Sequence, residues 1–163
     1  ENTIKIWDEI ILAGGEDLKP AGLACRDTLR TEMKYTLYGN DIDDSTNSIE
    51  AGLGWITKLE KSSFIGKDSL ISAKGNLKRK LVCLKMIDRG IPRKGYLVMS
   101  GDKQIGEITS GTQSPSLNEG IGLAYISLSY SKIGTELQIK IRNKYLSCII
   151  VKSPFYTLGT INN

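Results

Sequence analysis

The chain has 163 residues, 40% hydrophobic and 25% charged, the balance of a folded globular protein rather than a disordered or fibrous one. No apolar run approaches the roughly 18 residues that a spanning helix needs. The net charge of +4, from 22 basic and 18 acidic residues, is modest and dispersed, and histidine is absent, which excludes every imidazole triad within these residues.

Hydrophobic periodicity opens the chain with a helix, since Ile4, Trp7, Ile10 and Ile11 fall on one face and Gly14-Gly15 supplies a stop. A second helix is predicted over 25–33, with Arg26, Leu29, Arg30 and Met33 on adjoining faces. A polar turn, Gly39-Asn40-Asp41, follows. Residues 51–59 read as a strand carrying Gly52, Gly54 and Trp55, and residues 66–73 as a short helix. Lys74-Gly75-Asn76 is the natural boundary. Residues 1–74 are therefore expected to form an α+β unit with helices against a sheet.

Beyond the boundary nearly every signal is β. Strands are predicted over 81–86, 96–99, 103–109, 120–126, 135–141 and 145–151, with turns at Ser100-Gly101-Asp102 and Arg142-Asn143-Lys144. Six short antiparallel strands close most economically as a barrel, which removes exposed edges, so residues 80–163 are expected to be a small antiparallel β-barrel domain. Cys83 and Cys148 fall inside apolar strands and read as buried thiols. With Cys25 they form no Cys-x-x-Cys pair, which excludes the usual zinc sites and fits a reducing compartment.

Four strings imitate known sites without completing them. Gly66-Lys67 lacks the first glycine of a phosphate loop, Lys61 standing in its place. The Asp41-x-Asp43-x-Ser45-x-Asn47 run lacks the glycine and the bidentate glutamate of a calcium loop. Thr109-Ser110-Gly111 and Ser114-Pro115-Ser116 offer hydroxyls without a base and read as an ordered loop. The basic run Lys78-Arg79-Lys80 has no interleaved aromatic and reads as a solvated linker.

Two side chains invite a ligand. The Arg26 guanidinium can grip a carboxylate or a ring heteroatom bidentately, or it can pair with Asp27 or Glu32 and fix a helix end. Trp55, flanked by bare glycine backbone, can accept a flat ligand or serve as core.

Several blocks then line up in order: Gly22-Leu23-Ala24-Cys25-Arg26-Asp27, Leu37-Tyr38-Gly39-Asn40-Asp41-Ile42, Glu50-Ala51-Gly52-Leu53-Gly54-Trp55, Phe64-Ile65-Gly66-Lys67, Gly106-Glu107-Ile108-Thr109-Ser110-Gly111, Gly122-Leu123-Ala124-Tyr125 and Pro154-Phe155-Tyr156. Together they resemble the carboxyl-terminal half of the T protein of the glycine cleavage system, a tetrahydrofolate-dependent aminomethyltransferase. The resemblance implies folate contacts at Arg26, Trp55 and Tyr156, the last of which reads equally as an anchor for the carboxyl tail. It implies no metal, a catalytic acid in an amino-terminal half outside these residues, and little activity or folate affinity in this chain alone. It also implies the lipoylated H protein as partner, no nucleic acid or membrane, and a location in the bacterial cytoplasm or the mitochondrial matrix. Thr157 stands where the family often has a basic residue, which puts an anion contact from that position in doubt. The folate domain of a sarcosine or dimethylglycine dehydrogenase or of a demethylase, and a nucleic-acid-binding barrel, are the rival readings.

Overall fold

A computed structural model describes residues 2–158. Its order is helix α1 (Asn2–Gly14), α2 (Leu23–Glu32), α3 (Lys67–Gly75), then strands β1 (Arg79–Met86), β2 (Leu97–Ser100), β3 (Lys103–Ser114), β4 (Glu119–Ser127), β5 (Glu136–Ile141) and β6 (Lys144–Val151). The strands close into one antiparallel barrel in the order β1-β4-β3-β2-β5-β6, with β6 returning to β1. Three helices ahead of this barrel place the chain in the α+β class. All six predicted strands are present.

Alternation explains the closure. On β5, Leu137 and Ile139 are buried while Gln138 between them is half-buried and Glu136 is exposed. They join Val82, Leu84, Met86, Val98, Ile105, Ile108, Ala124, Ile126, Cys148 and Ile150 in the barrel interior. Truncating one of these aliphatics to alanine costs about 2–5 kcal/mol. The β5–β6 register is set by a tight turn at Arg142, whose φ of 56° is left-handed.

Strands β1 and β4 are buried on both faces. Leu81, Cys83, Leu123 and Tyr125 form a second cluster outside the barrel, covered by Val151 and Phe155. Burial pushes the Cys83 and Cys148 thiols up to about 12, so both are protonated and unreactive near neutrality. Glycines let other backbone approach here. A Cβ on Gly111 would stand 2.5 Å from the carbonyl oxygen of Pro92, so the β1–β2 connection seats directly on β3.

The preceding segment departs from expectation: residues 2–74 hold helices, turns and an isolated Tyr38–Ile42 bridge but no sheet of their own, and α2 packs on the barrel strands instead. Residues 51–59 form successive turns rather than a strand. Asn47 is the cause: its Oδ1 accepts from the amides of Ile49 and Glu50, and its carbonyl accepts from Ala51. The amides of Gly52, Leu53, Ile56 and Thr57 then bond to carbonyls three to five residues back, which leaves no row of donors for a ladder. Residues 109–114 depart in the opposite sense, extending β3 where an ordered loop was expected.

Helix α2 packs on β3 and β4. Helix α1 buries none of its residues, and Ile4, Trp7, Ile10 and Leu12 are all more than half exposed. Among the described residues no helix is long and apolar enough to cross a membrane.

Candidate functional site

Arg26 and Arg30 lie one turn apart on α2, and spacing alone would put them side by side. Their surroundings separate them. Arg30 is buried, and its Nε and Nη2 both donate to Asp27 Oδ1, at 2.8 and 2.6 Å. Nη2 also donates to Ser110 Oγ at 2.8 Å, and Nη1 to Asp41 Oδ2 and the Tyr35 carbonyl. The same Asp41 oxygen accepts the Leu37 amide, while its Oδ1 accepts the Thr109 hydroxyl.

A bulge makes this convergence possible. The β3–β4 register slips between Ile108 and Ser110, so Thr109 is an extra residue on β3. Alternation would turn Thr109 and Ser110 to opposite faces, but the bulge lets both hydroxyls reach the Arg30–Asp41 pair. The guanidinium of Arg30 is saturated with partners and cannot also hold a ligand.

Arg26 is exposed and has no salt bridge among the described residues. It lines a groove of about 440 Å³ with Ala21, Gly22, Cys25, Leu29, Met33 and Tyr35; Arg30 also borders this groove, but with every N–H of its guanidinium already bonded. A second groove, of about 320 Å³, is bounded by Met33, Lys34, Tyr35 and Thr36, by Ala51, Gly52, Leu53 and Trp55, and by Ser153 and Pro154 of the tail. The two share Met33 and Tyr35. Trp55 is 74% exposed, because the turns that replace the expected strand carry its indole away from the core. Arg26 and Trp55 therefore line adjoining grooves.

Tyr156 lines neither. Its amide and that of Phe155 donate to the carbonyl of Glu32 at the end of α2. The buried Glu32 carboxylate in turn accepts from the hydroxyls of Ser114, at 2.5 Å, and Ser116, at 3.1 Å. This latch between α2, β3 and the tail was invisible in the sequence, because its members lie more than 80 positions apart. Lys34 also escaped notice there, and its left-handed backbone has no local sequence signature.

A cavity of about 900 Å³ by the β1–β2 connection is larger, but its acids are engaged. Glu119 pairs with Lys85 at 2.8 Å, and Asp88 accepts the Ser147 amide at 2.7 Å. Among the described residues no group of three or more potential metal ligands converges.

A helical segment with ligand-sized grooves, leading into a closed barrel, defines a two-part architecture with known counterparts. The family model described as glycine cleavage T-protein C-terminal barrel domain matches residues 79–157, and the GCVT N-terminal domain model matches residues 1–61. The chain belongs to the glycine cleavage T-protein family. It is 52% identical over 156 residues to an aminomethyltransferase of Porphyromonas gingivalis, covering 93% of this chain and 43% of that protein. To the aminomethyltransferase of Bdellovibrio bacteriovorus it is 48% identical over 159 residues, covering 95% and 44%. The crystal structure of glycine cleavage system aminomethyltransferase T from Bartonella henselae superposes with a TM-score of 0.86 at 28% identity, over 94% of this chain and 44% of that one. The chain thus spans less than half the length of these relatives.

Proposed function

We propose that the protein carrying this chain is a tetrahydrofolate-dependent aminomethyltransferase of the glycine cleavage system. It takes the aminomethyl group from the lipoyl arm of the H protein, passes the methylene to tetrahydrofolate as methylenetetrahydrofolate, and releases ammonia. The supporting observation is the division of labour on α2: Arg30 is consumed by buried partners, while Arg26 stands free at a groove that adjoins the exposed face of Trp55.

The chemistry suits that arrangement. A folate presents a flat ring system and carboxylates, which an indole face and a guanidinium fork recognise. Arg26 and Trp55 supply one wall of the pocket in this reading, with Ser153 and Pro154 bordering the Trp55 groove from the tail and Tyr156 fastening that tail to α2. Residues 1–74 complete a folate-binding domain whose upstream half carries the catalytic acid, and residues 80–163, of which 159–163 lie outside the described residues, supply the barrel domain that braces it. The contribution of this chain is positioning rather than proton transfer. Alone it is inactive and binds folate weakly, because one wall leaves the polar edge of the ligand unpaired. In a bacterium the protein works in the cytoplasm.

The test is calorimetry with tetrahydrofolate on the full-length protein and on residues 1–163 separately. The reading predicts a defined site on the former and none tighter than millimolar on the latter. Tight binding by the isolated chain would place the whole pocket here and overturn it.

A further inference from the structure

Lys34 stands at the first position beyond the C-cap of α2, with a φ of 57°. Helices commonly end on a left-handed residue there, and glycine is the unstrained choice. A lysine in this conformation carries backbone strain that a glycine would not. A long cation is thus held where a bare residue would be easier.

Its side chain does not extend freely into solvent. Lys34 is half-buried and lines the Trp55 groove. Its Nζ lies 2.7 Å from where a Cβ on Gly52 would sit, and Gly52, with a φ of 75°, leaves that space open. The charge lies near enough to the buried Cys83 to pull its thiol pKa downward, yet burial keeps that thiol protonated and no counter-ion. Among the described residues Lys34 makes no salt bridge. The groove therefore combines an exposed indole, an open glycine backbone and an ammonium without a neutralising partner. A partly desolvated cation of this kind favours an anion beside it.

We propose that Lys34 anchors a carboxylate of the ligand that lies against Trp55, and so selects folates that carry an acidic tail over pterins that lack one. This rests on the folate reading above. Arg26, in the adjoining groove, is left to hold another part of the same molecule.

The test uses the full-length protein and three probes: tetrahydrofolate, its triglutamate, and 6-methyltetrahydropterin, which has no carboxylate. Lys34→Asn removes the charge while keeping a residue that tolerates left-handed backbone. It is expected to weaken both folates by on the order of tenfold, leave the pterin unchanged, and melt at the wild-type temperature. Lys34→Arg is expected to retain most of the affinity, and the wild-type preference for folates over the pterin is expected to shrink as salt is raised. Should Lys34→Asn fold poorly, Lys34→Gly, which relieves the backbone strain, serves in its place. Unchanged folate affinity in the charge-free variant, with a loss in Trp55→Ala, would overturn the role of Lys34 and leave the folate reading intact. Equal losses in Lys34→Arg and Lys34→Asn would make the effect one of shape and overturn it too. A wild-type protein that binds none of the probes would remove both the folate reading and this extension of it.

Discussion

Arg30 and Asp41 form a buried ion pair that ties α2 to the following turn and, through Thr109 and Ser110, to the bulge in β3. The Asp41 side chain is wholly enclosed and that of Arg30 nearly so. Such a pair is worth little against a matched apolar replacement but a great deal against the loss of one partner, which strands a charge in a poorly solvated site.

The first prediction follows from that asymmetry. Asp41→Leu and Arg30→Met should each destabilise the full-length protein by about 3–5 kcal/mol, and the two combined should recover much of that. Denaturant melts of the four proteins give the coupling directly. Additive losses would mean that the two charges act independently.

A second ion pair makes stability depend on acid. Burial alone would raise the Glu50 carboxyl, but hydrogen bonds and charge from Arg79, with the Asn47 amide, more than offset it, so its pKa lies below the ordinary value. A depressed carboxylate contributes stability that is present above its unfolded pKa, about 4.3, and is lost as pH falls through the lower folded value. The stability gap between wild type and Glu50→Gln should therefore hold from pH 7 to about 5 and close below about 4. A gap that widens in acid would contradict this account.

Tyr125 lies in the second apolar cluster with its hydroxyl buried and unpartnered. The neighbouring Thr46 hydroxyl serves the Asp43 amide and carbonyl instead. Burial, with the Glu50 carboxylate adding to it, pushes the phenol up to about 12, although the Arg79 guanidinium lies 4.6 Å over the ring. The raised value means that burial of the neutral phenol contributes no alkaline loss until pH passes the unfolded value near 10. Stability should then fall toward pH 12. Tyr125→Phe should remove that alkaline loss and leave stability at pH 7 unchanged or slightly raised, since it deletes an unsatisfied hydroxyl. A drop of about 2 kcal/mol or more at pH 7 would reveal a hydrogen bond there.

Glu32 gives a prediction about the tail. Its carboxylate holds Ser114 and Ser116, and its carbonyl holds the amides of Phe155 and Tyr156. Glu32→Ala leaves the buried Ser114 hydroxyl without its acceptor and opens a void at the end of α2, at a cost of about 2–4 kcal/mol. Limited proteolysis should then cut near Ser153 faster than in wild type. Unaltered cutting would show that the backbone contacts alone fasten the tail.

Legibility in the sequence divides along the same physical line as locality. The barrel was readable because its signals are local: Leu137-Gln138-Ile139-Lys140-Ile141 alternates, and the turns at Gly101 and Arg142 occur where left-handed backbone is found. Residues 51–59 misled because Leu53, Trp55 and Ile56 have strand composition, while the decisive group, Asn47, lies upstream and acts through its side chain. Arg26 and Arg30 are near-equivalent on a helical wheel. What distinguishes them is Asp41, 11 residues on, and Ser110, 80 residues on, the latter delivered by a bulge that no pattern announces. Blocks of motif residues identified the family, yet Lys34 and the Glu32 latch depend on backbone conformation and distant pairing.

The most direct measurement is folate binding by the full-length protein with alanine at each arginine of α2. The account predicts that Arg26→Ala weakens tetrahydrofolate by about 1.5–3 kcal/mol, roughly ten- to a hundredfold, without shifting the melting temperature. Arg26→Lys should recover only part of this, since an ammonium cannot reproduce the planar fork. Arg30→Ala should melt well below wild type and, at a temperature where it remains folded, bind tetrahydrofolate with near wild-type affinity. Normal binding by Arg26→Ala, or equal losses of affinity at both positions without a difference in stability, would contradict the assignment of one arginine to the ligand and the other to the fold.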